Sequence, residues 1–335
     1  MENQTEPLSL EFKGVPELGE KTELFLTLVK PSTSRTYRTA LSFFAKFLCA
    51  RGEGSVDSFI QKVDDDDRRP LAEKVDYAAP LLRSFKTCLV MSGKAPKSTR
   101  TYLASIQGYA KYRKVSLTLD YLGMPNDDVQ VLTHEWADAD EVARFLVLFK
   151  LPAYQALGRL MFQSGLSVSD CLSLTYADVE KELGKVSPLL LDFRLAGRSK
   201  TGVRFVTFCG KWTIDALLEY LKGKTLYPDS RLFDTSVESV DSYFKTRAIE
   251  FMGKWQGKTN PCSPHSLRHG FRSVVHMARV ITETDIEALM GHGSKGKAKM
   301  ENTYTTIGPE EWRRVWKRCE PCLTPSYLQS PIKSL

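Results

Sequence analysis

Apolar residues in the first third of the chain recur at the spacing of helices. From Ser34 the run SRTYRTALSFFAKFL sets Tyr37, Leu41, Phe44 and Leu48 on one face behind a serine start signal, which predicts an amphipathic helix. A second helix is predicted over 78–92, ended by Gly93. A third begins at Ser98 and carries Tyr102, Ile106, Tyr109 and Ala110 on one side. Between the first two, the acidic run 64–67 and Pro70 read as a loop. Residues 1–20 lack periodicity and read as a mobile arm, so the first 120 residues are expected to be all-helical.

Turn formers cluster at Pro125, Asn126, Asp127 and Asp128, the best position for a linker. Beyond it Asp140 opens a helix with Val142, Phe145, Leu146 and Phe149 inward, an apolar helix covers about 153–164, and a short one follows from Val168. The period then changes. LLLDFRLAGRSKTGVRFVTF has β-rich runs on both sides of Ser-Lys-Thr-Gly and reads as a hairpin. Helices resume near Trp212 and over 238–252, 267–279 and 284–290. Pro321, Pro325 and Pro331 punctuate a tail that should not continue a helix. The expected organisation is an arm (1–20), a helical domain (21–124), a linker (125–133), a mainly α domain with a small β-sheet (134–318) and a tail (319–335).

A chain of 335 residues has room for roughly two domains, and 42% hydrophobic with 26% charged residues reads as an ordinary globular protein. No apolar run reaches membrane-spanning length and no signal peptide is visible, so the protein is expected to stay in the cytoplasm where it is made. Seven cysteines, an odd number, are scattered and read as reduced thiols. The pair Cys319-Glu-Pro-Cys322 lacks the second pair a tetrahedral metal site needs. The net charge of +7 says little alone, but its distribution says more. Arg83, Lys86, Lys94, Lys97, Arg100, Lys111, Arg113 and Lys114 share a stretch without a single acid, interleaved with Tyr102, Tyr109 and Tyr112. A charge run is ordinarily a solvated face; a one-signed run with aromatics favours a phosphate-facing surface.

Four of the five histidines, His265, His269, His276 and His292, fall in the phrases PHSLRHGFRS and LMGH or between them. His265 and Arg268 lie one helical turn apart, and an imidazole beside a guanidinium fork grips a tetrahedral phosphate well. His265 and His269 also have the i, i+4 spacing of zinc ligands, but the glutamate of HExxH is missing and Arg268 would repel a cation. His276, and with it His269, fit the ordinary reading of satisfied core histidines. Twelve residues after His292 stands Tyr304, following the glycine- and lysine-rich GSKGKAK. A lone tyrosine is usually packing; on a basic segment behind a His/Arg cluster it becomes a candidate nucleophile. Its phenol titrates near 10, so attack at neutral pH needs an electropositive setting or a nearby base.

The order His-x-x-Arg, Gly-His, Tyr resembles the C-terminal catalytic domain of the tyrosine recombinase (phage integrase) family. SGLSVSDCLSLTYADV resembles that family's first box, and the Ser199-Lys200-Thr201 hairpin its catalytic hairpin. The match covers about 134–316; the helical N-terminal part resembles the family's core-binding domain in pattern only. The resemblance implies a clamp of two domains around double-stranded DNA and site-specific recombination, integrating and excising a mobile element. It implies that Tyr304 forms a 3′-phosphotyrosyl bond and Lys200 protonates the leaving 5′-hydroxyl. Arg268 would clamp the scissile phosphate, His265 assist proton transfer at the tyrosine, and His292 donate to the same phosphate. DNA contacts are expected from Lys94, Lys97, Arg100, Lys111, Arg113 and Arg198. No metal or cofactor is implied, and the implied assembly is a monomer in solution that forms a homo-tetramer on DNA, with the tail after Trp316 as a candidate for docking onto a neighbour.

One position departs from the pattern. The first box ordinarily carries an arginine where this chain has Ser167. The serine reads as a helix N-cap, with Asp170 three residues on completing a capping box. The site is then one cation short. Arg198 and Arg194 on the hairpin are candidate replacements, with Arg159 a lesser one. The departure keeps two rivals in view: a DNA-binding protein impaired in catalysis, and a type IB-like topoisomerase.

Overall fold

A computed structural model describes residues 18–123, 133–195, 202–255, 259–292 and 307–329. The chain divides into two compact units, 1–130 and 131–335.

The first unit is helical throughout its described residues. It comprises α1 (Glu20–Leu28), α2 (Pro31–Ala50), α3 (Val56–Asp67), α4 (Ala78–Met91) and α5 (Pro96–Tyr112), with two single 3-10 turns. The apolar stripe of α2 is buried as its spacing requires: Leu41, Phe44 and Leu48 are inaccessible. Phe44 meets Phe59 edge-on at 5.0 Å and Phe85 at 4.8 Å, which ties α2 to α3 and α4.

The acidic run 64–67 forms a helix turn, against the expectation of a loop. Val56, Phe59, Ile60 and Val63 bury one face of α3 and carry the helix through the acids, although carboxylates at a helix C-terminus are unfavourable. All four have local partners: Asp65 accepts from Gln61 at 2.9 Å and Asp67 pairs with Lys74 at 3.4 Å. Asp64 pairs with Arg68 at 2.6 Å, and Asp66 turns inward to accept from the amides of Val75 and Tyr77, both at 3.1 Å. Those amides hold the Asp66 carboxyl below its ordinary range.

The second unit is mainly α with a small sheet. Its elements are α6 (Ala139–Leu146), α7 (Pro152–Ser164), α8 (Val168–Ser173), β1 (Leu189–Asp192), β2 (Val206–Cys209), α9 (Lys211–Leu221), α10 (Val237–Met252), α11 (Pro264–Ala278), α12 (Glu283–Leu289), α13 (Pro309–Lys317) and α14 (Ser326–Gln329). The hairpin is antiparallel, with Leu189 opposite Cys209 and Asp192 opposite Val206. Helix α7 is central: Leu157, Leu160, Met161 and Phe162 are fully buried, and it packs against α9, α11 and β2. Its Gln163 joins distant segments. Oε1 accepts from Gly210 N at 3.0 Å and Thr213 Oγ1 at 2.7 Å, while Nε2 donates to the carbonyl of Leu323 at 3.0 Å.

That last bond corrects the reading of the tail. Cys319 and Leu323 are buried in the core, and the amide of Ser326 donates to Asp140 at 2.8 Å. The prolines stop α13 as expected, yet the segment through Gln329 belongs to this unit's own fold, closed by the single turn α14. The cysteines are free thiols, and burial pushes Cys319 up to about 12. Among the described residues no helix is long and apolar enough to cross a membrane.

Candidate active site

Helix α11 carries the His/Arg phrase. Pro264 stands at its first position, and Leu267, Phe271, Val274 and Val275 bury one face. Trp136 fixes its start: the indole Nε1 donates to Ser266 Oγ at 3.1 Å, and a Cβ on Gly270 would lie 2.8 Å from the indole. With the helix so placed, Arg268 points inward and is 2% exposed, while His265 and His269 lie at the surface.

A buried guanidinium must be matched by acceptors. Arg268 donates through Nη1 to the carbonyl of Gly165 and through Nη2 to that of Met290 at 2.8 Å. These carbonyls cap the C-termini of α7 and α12, the ends toward which helix dipoles place partial negative charge. Gly165 has φ +67, and a Cβ there would lie 2.7 Å from Phe271, so glycine is required where the chain turns to present that carbonyl. Gly291, with φ +63, packs against Phe205 of the hairpin in the same way and delivers His292. His292 Nε2 is 2.6 Å from Nη2 of Arg268. Arg268 and His292, two of the residues singled out from sequence, are thus joined directly.

His265 is brought beside His269, rings 4.5 Å apart and edge-on. Among the described residues no group of three or more potential metal ligands comes together. Partial burial, helped by Arg268, Arg272 and His292, holds His269 below the usual histidine range. His276 corrects the core reading: it is exposed, with Nδ1 2.8 Å from Glu283. His269 is likewise a surface residue.

Ser167 is the N-cap of α8, as expected. Its hydroxyl accepts from Asp170 N at 3.3 Å and donates to Asp170 Oδ2 at 2.6 Å, completing a capping box. Of the candidate replacement arginines, Arg194 is folded onto Asp192, with Nε–Oδ1 at 2.9 Å and Nη2–Oδ2 at 2.6 Å. Arg159 donates to the carbonyl of Trp212 at 3.2 Å and to Gln155 at 3.4 Å, an anchor between α7 and α9. Tyr304, Lys200 and Arg198 lie outside the described residues. Three other tyrosines have packing roles. Tyr109 is buried, Tyr102 lies edge-on to Phe43 in the first unit, and Tyr243 stacks on Tyr154 at 4.1 Å while accepting from Lys150 N at 3.0 Å.

Sequence reasoning passes over Glu287 and Arg272. Glu287 accepts from Arg272 Nε at 2.7 Å and lies 2.5 Å from His292 Nδ1; Arg272 also donates to Glu283. The available signal is a carboxylate on the short helix that ends in Gly-His, facing an arginine one turn beyond Arg268.

In the first unit, Lys97 and Lys111 are exposed and Arg100 half-exposed; with Ala104 and Gln107 they form one stripe along α5. Lys94 lies over the rings of Phe43 and Tyr102, at 5.3 Å and 5.6 Å. Arg113, expected at DNA, bonds Tyr109 Oη at 3.0 Å and sits 3.9 Å from Asp57. Lys86 likewise serves the fold, donating to the carbonyls of Leu122 and Gly123.

No family model matches the chain. It is 26% identical over 174 residues, 50% of its length, to the protein named tyrosine recombinase XerC of Haemophilus influenzae. It spans about half of that relative, 53%. Among solved structures it resembles the Tn1549 transposon integrase in complex with transposon right end DNA, at 13% identity and a TM-score of 0.51, over 82% of this chain and 97% of that one. A lambda integrase dimer bound to a core site gives 17% and 0.52, over 85% and 92%. A lambda integrase tetramer bound to a Holliday junction gives 17% and 0.54, over 84% and 74%. These likenesses show the fold.

Proposed function

We propose that the chain, which is similar to proteins named tyrosine recombinase and integrase, is a site-specific DNA recombinase, an integrase and excisionase of a mobile element. The observation that carries this reading is the buried Arg268, a rigidly held cation suited to a phosphate, fixed by two helix-end carbonyls with His292 at 2.6 Å. In this reading Tyr304 attacks a phosphodiester of double-stranded DNA and keeps its energy in a 3′-phosphotyrosyl bond, while Lys200 protonates the 5′-hydroxyl that leaves. Arg268 and His292 offset the charge that grows on the non-bridging oxygens, and His265 moves the tyrosine proton. Lys94, Lys97, Arg100, Lys111, Arg113 and Arg198 meet DNA phosphates, Arg113 while also bracing Tyr109. Strand exchange between two sites calls for four protomers, so a monomer in solution assembles as a homo-tetramer on DNA. The tetrameric lambda integrase on a Holliday junction supports that count. The protein works in the cytoplasm on nucleic acid.

The test is incubation with attachment-site DNA followed by a denaturing gel. A covalent protein–DNA adduct is expected, and joining of two separate sites is expected to follow. Nicking and resealing without joining favours a topoisomerase, and retarded DNA without adduct favours a binding protein.

A further inference from the structure

The cluster around His292 contains a carboxylate that this scheme leaves unused. Glu287 sits near the end of α12, its Oε2 2.5 Å from His292 Nδ1 and its Oε1 accepting from Arg272 Nε at 2.7 Å. On the far side of the ring, Nε2 lies 2.6 Å from Arg268 Nη2. A guanidinium has donors only, so Nε2 must accept. The proton of the neutral ring therefore sits on Nδ1, donated to Glu287. The other tautomer would set an imidazole lone pair against a carboxylate and an N–H against a guanidinium N–H.

We infer that Glu287 is a positioning residue that fixes His292 as the Nδ1–H tautomer, so that Nε2 donates to a bound oxyanion only after the ring gains a proton. The step balances simply. The hydrogen bond between Arg268 and Nε2 breaks, Nε2 takes a proton from solvent, and the imidazolium stays paired through Nδ1 with Glu287. The consequence for phosphate rests on the recombinase reading; the tautomer does not. That consequence bears on Ser167. A protonated His292 beside Arg268 adds a second cation to a site that lacks the first-box arginine, whereas a neutral ring adds none.

The charges facing the ring oppose one another. Arg268, His269 and Arg272 come from α11, Glu287 from its own helix, and Glu283 acts through Arg272. From the hairpin, apolar Phe205 packs on Gly291. With Arg268 donating to Nε2, that nitrogen is closed to a proton. An arriving phosphate draws those donors away and tips the balance toward the cation. Partial burial tends to raise the Glu287 carboxyl, but hydrogen bonds from Arg272 and His292 outweigh it and hold it below its ordinary range, so a carboxylate is in place to pair with the imidazolium.

The full chain has five histidines, few enough to resolve both nitrogens of each ring by two-bond 1H–15N correlation on 15N-labelled protein, with His292→Asn to assign the signal. Above its titration, His292 is expected with Nδ1 protonated and Nε2 bare. Glu287→Gln keeps an acceptor but removes the charge. The tautomer should persist while the His292 midpoint falls by about one pH unit, a tenfold loss of proton affinity. An Nε2–H ring in the unmodified protein, or a midpoint unmoved by E287Q, overturns the proposal. If E287Q does not fold, the tautomer of the unmodified chain decides alone. Neither readout needs DNA cleavage. A chain with the tautomer but no adduct overturns the recombinase reading and leaves this one, and the reverse result overturns this one only.

Discussion

Ser167 has its hydroxyl engaged twice by Asp170, once as acceptor and once as donor, and that capping box is legible three residues apart in the sequence. Replacing it with alanine removes a cap and is expected to cost about 1 kcal/mol, read as a lower urea midpoint with unchanged slope. A drop in stability several-fold larger would mean the serine does more than cap. Ser167→Arg addresses catalysis. On the recombinase reading it restores a clamp, and single-turnover adduct formation should quicken by up to the scale of one oxyanion donor, ~3 kcal/mol or roughly a hundredfold. An unchanged rate would show that another cation already serves. The setting of Arg268 is not legible, because its carbonyl partners stand 103 and 22 residues away in the chain. His276 misleads because its polar partner, Glu283, belongs to the next helix.

Among the elements, spacing predicts most of the helices but not α1, α3 or α13, and polarity predicts the loops poorly. The acids of α3 resemble a loop when local charge is weighed above the apolar stripe of Val56, Phe59, Ile60 and Val63, which decides the outcome through burial. The tail reads as detached because Leu323 and the hydrogen bond of Ser326 to Asp140 have no periodic signature. Gln163 is the element-level joint. Gln163→Leu leaves the Gly210 amide and the Thr213 hydroxyl buried and unpaired and should destabilise by about 2–4 kcal/mol, seen as a lower midpoint in chemical denaturation. A change under about 1 kcal/mol would mean those groups re-pair. The seam between α11 and α12 depends on pH. Because Glu287 is held below its ordinary range, its contribution is present above the unfolded carboxyl value and disappears as pH falls through the lowered one. Wild type should exceed E287Q at neutral pH by under about 1 kcal/mol, given that Arg272 is half-exposed, and the two melting curves should converge in acid. A gap that persists in acid would contradict the pairing.

For the whole molecule, the fold class and family resemblance are carried by the second unit's motifs, whereas the first offers only helical pattern and charge. Structure divides that charge. Lys97, Arg100 and Lys111 form an outward stripe, while Arg113 turns to Tyr109 and Asp57. Neutralising Lys94, Lys97 and Arg100 together should weaken binding to all DNA sequences. The salt slope should fall by up to ~3, near 0.9 for each phosphate that is no longer neutralised. Arg113→Ala should lower stability as well as the slope. An unaltered slope in the triple variant would place those three residues away from DNA. In the proposed reaction Tyr304 becomes the covalent link to DNA. Protein trapped on its attachment site, digested with protease and mapped by mass spectrometry, should carry nucleotide on Tyr304 alone, and Tyr304→Phe should form no adduct while binding DNA as well as before. Nucleotide on another residue, or an adduct that survives Tyr304→Phe, would contradict it.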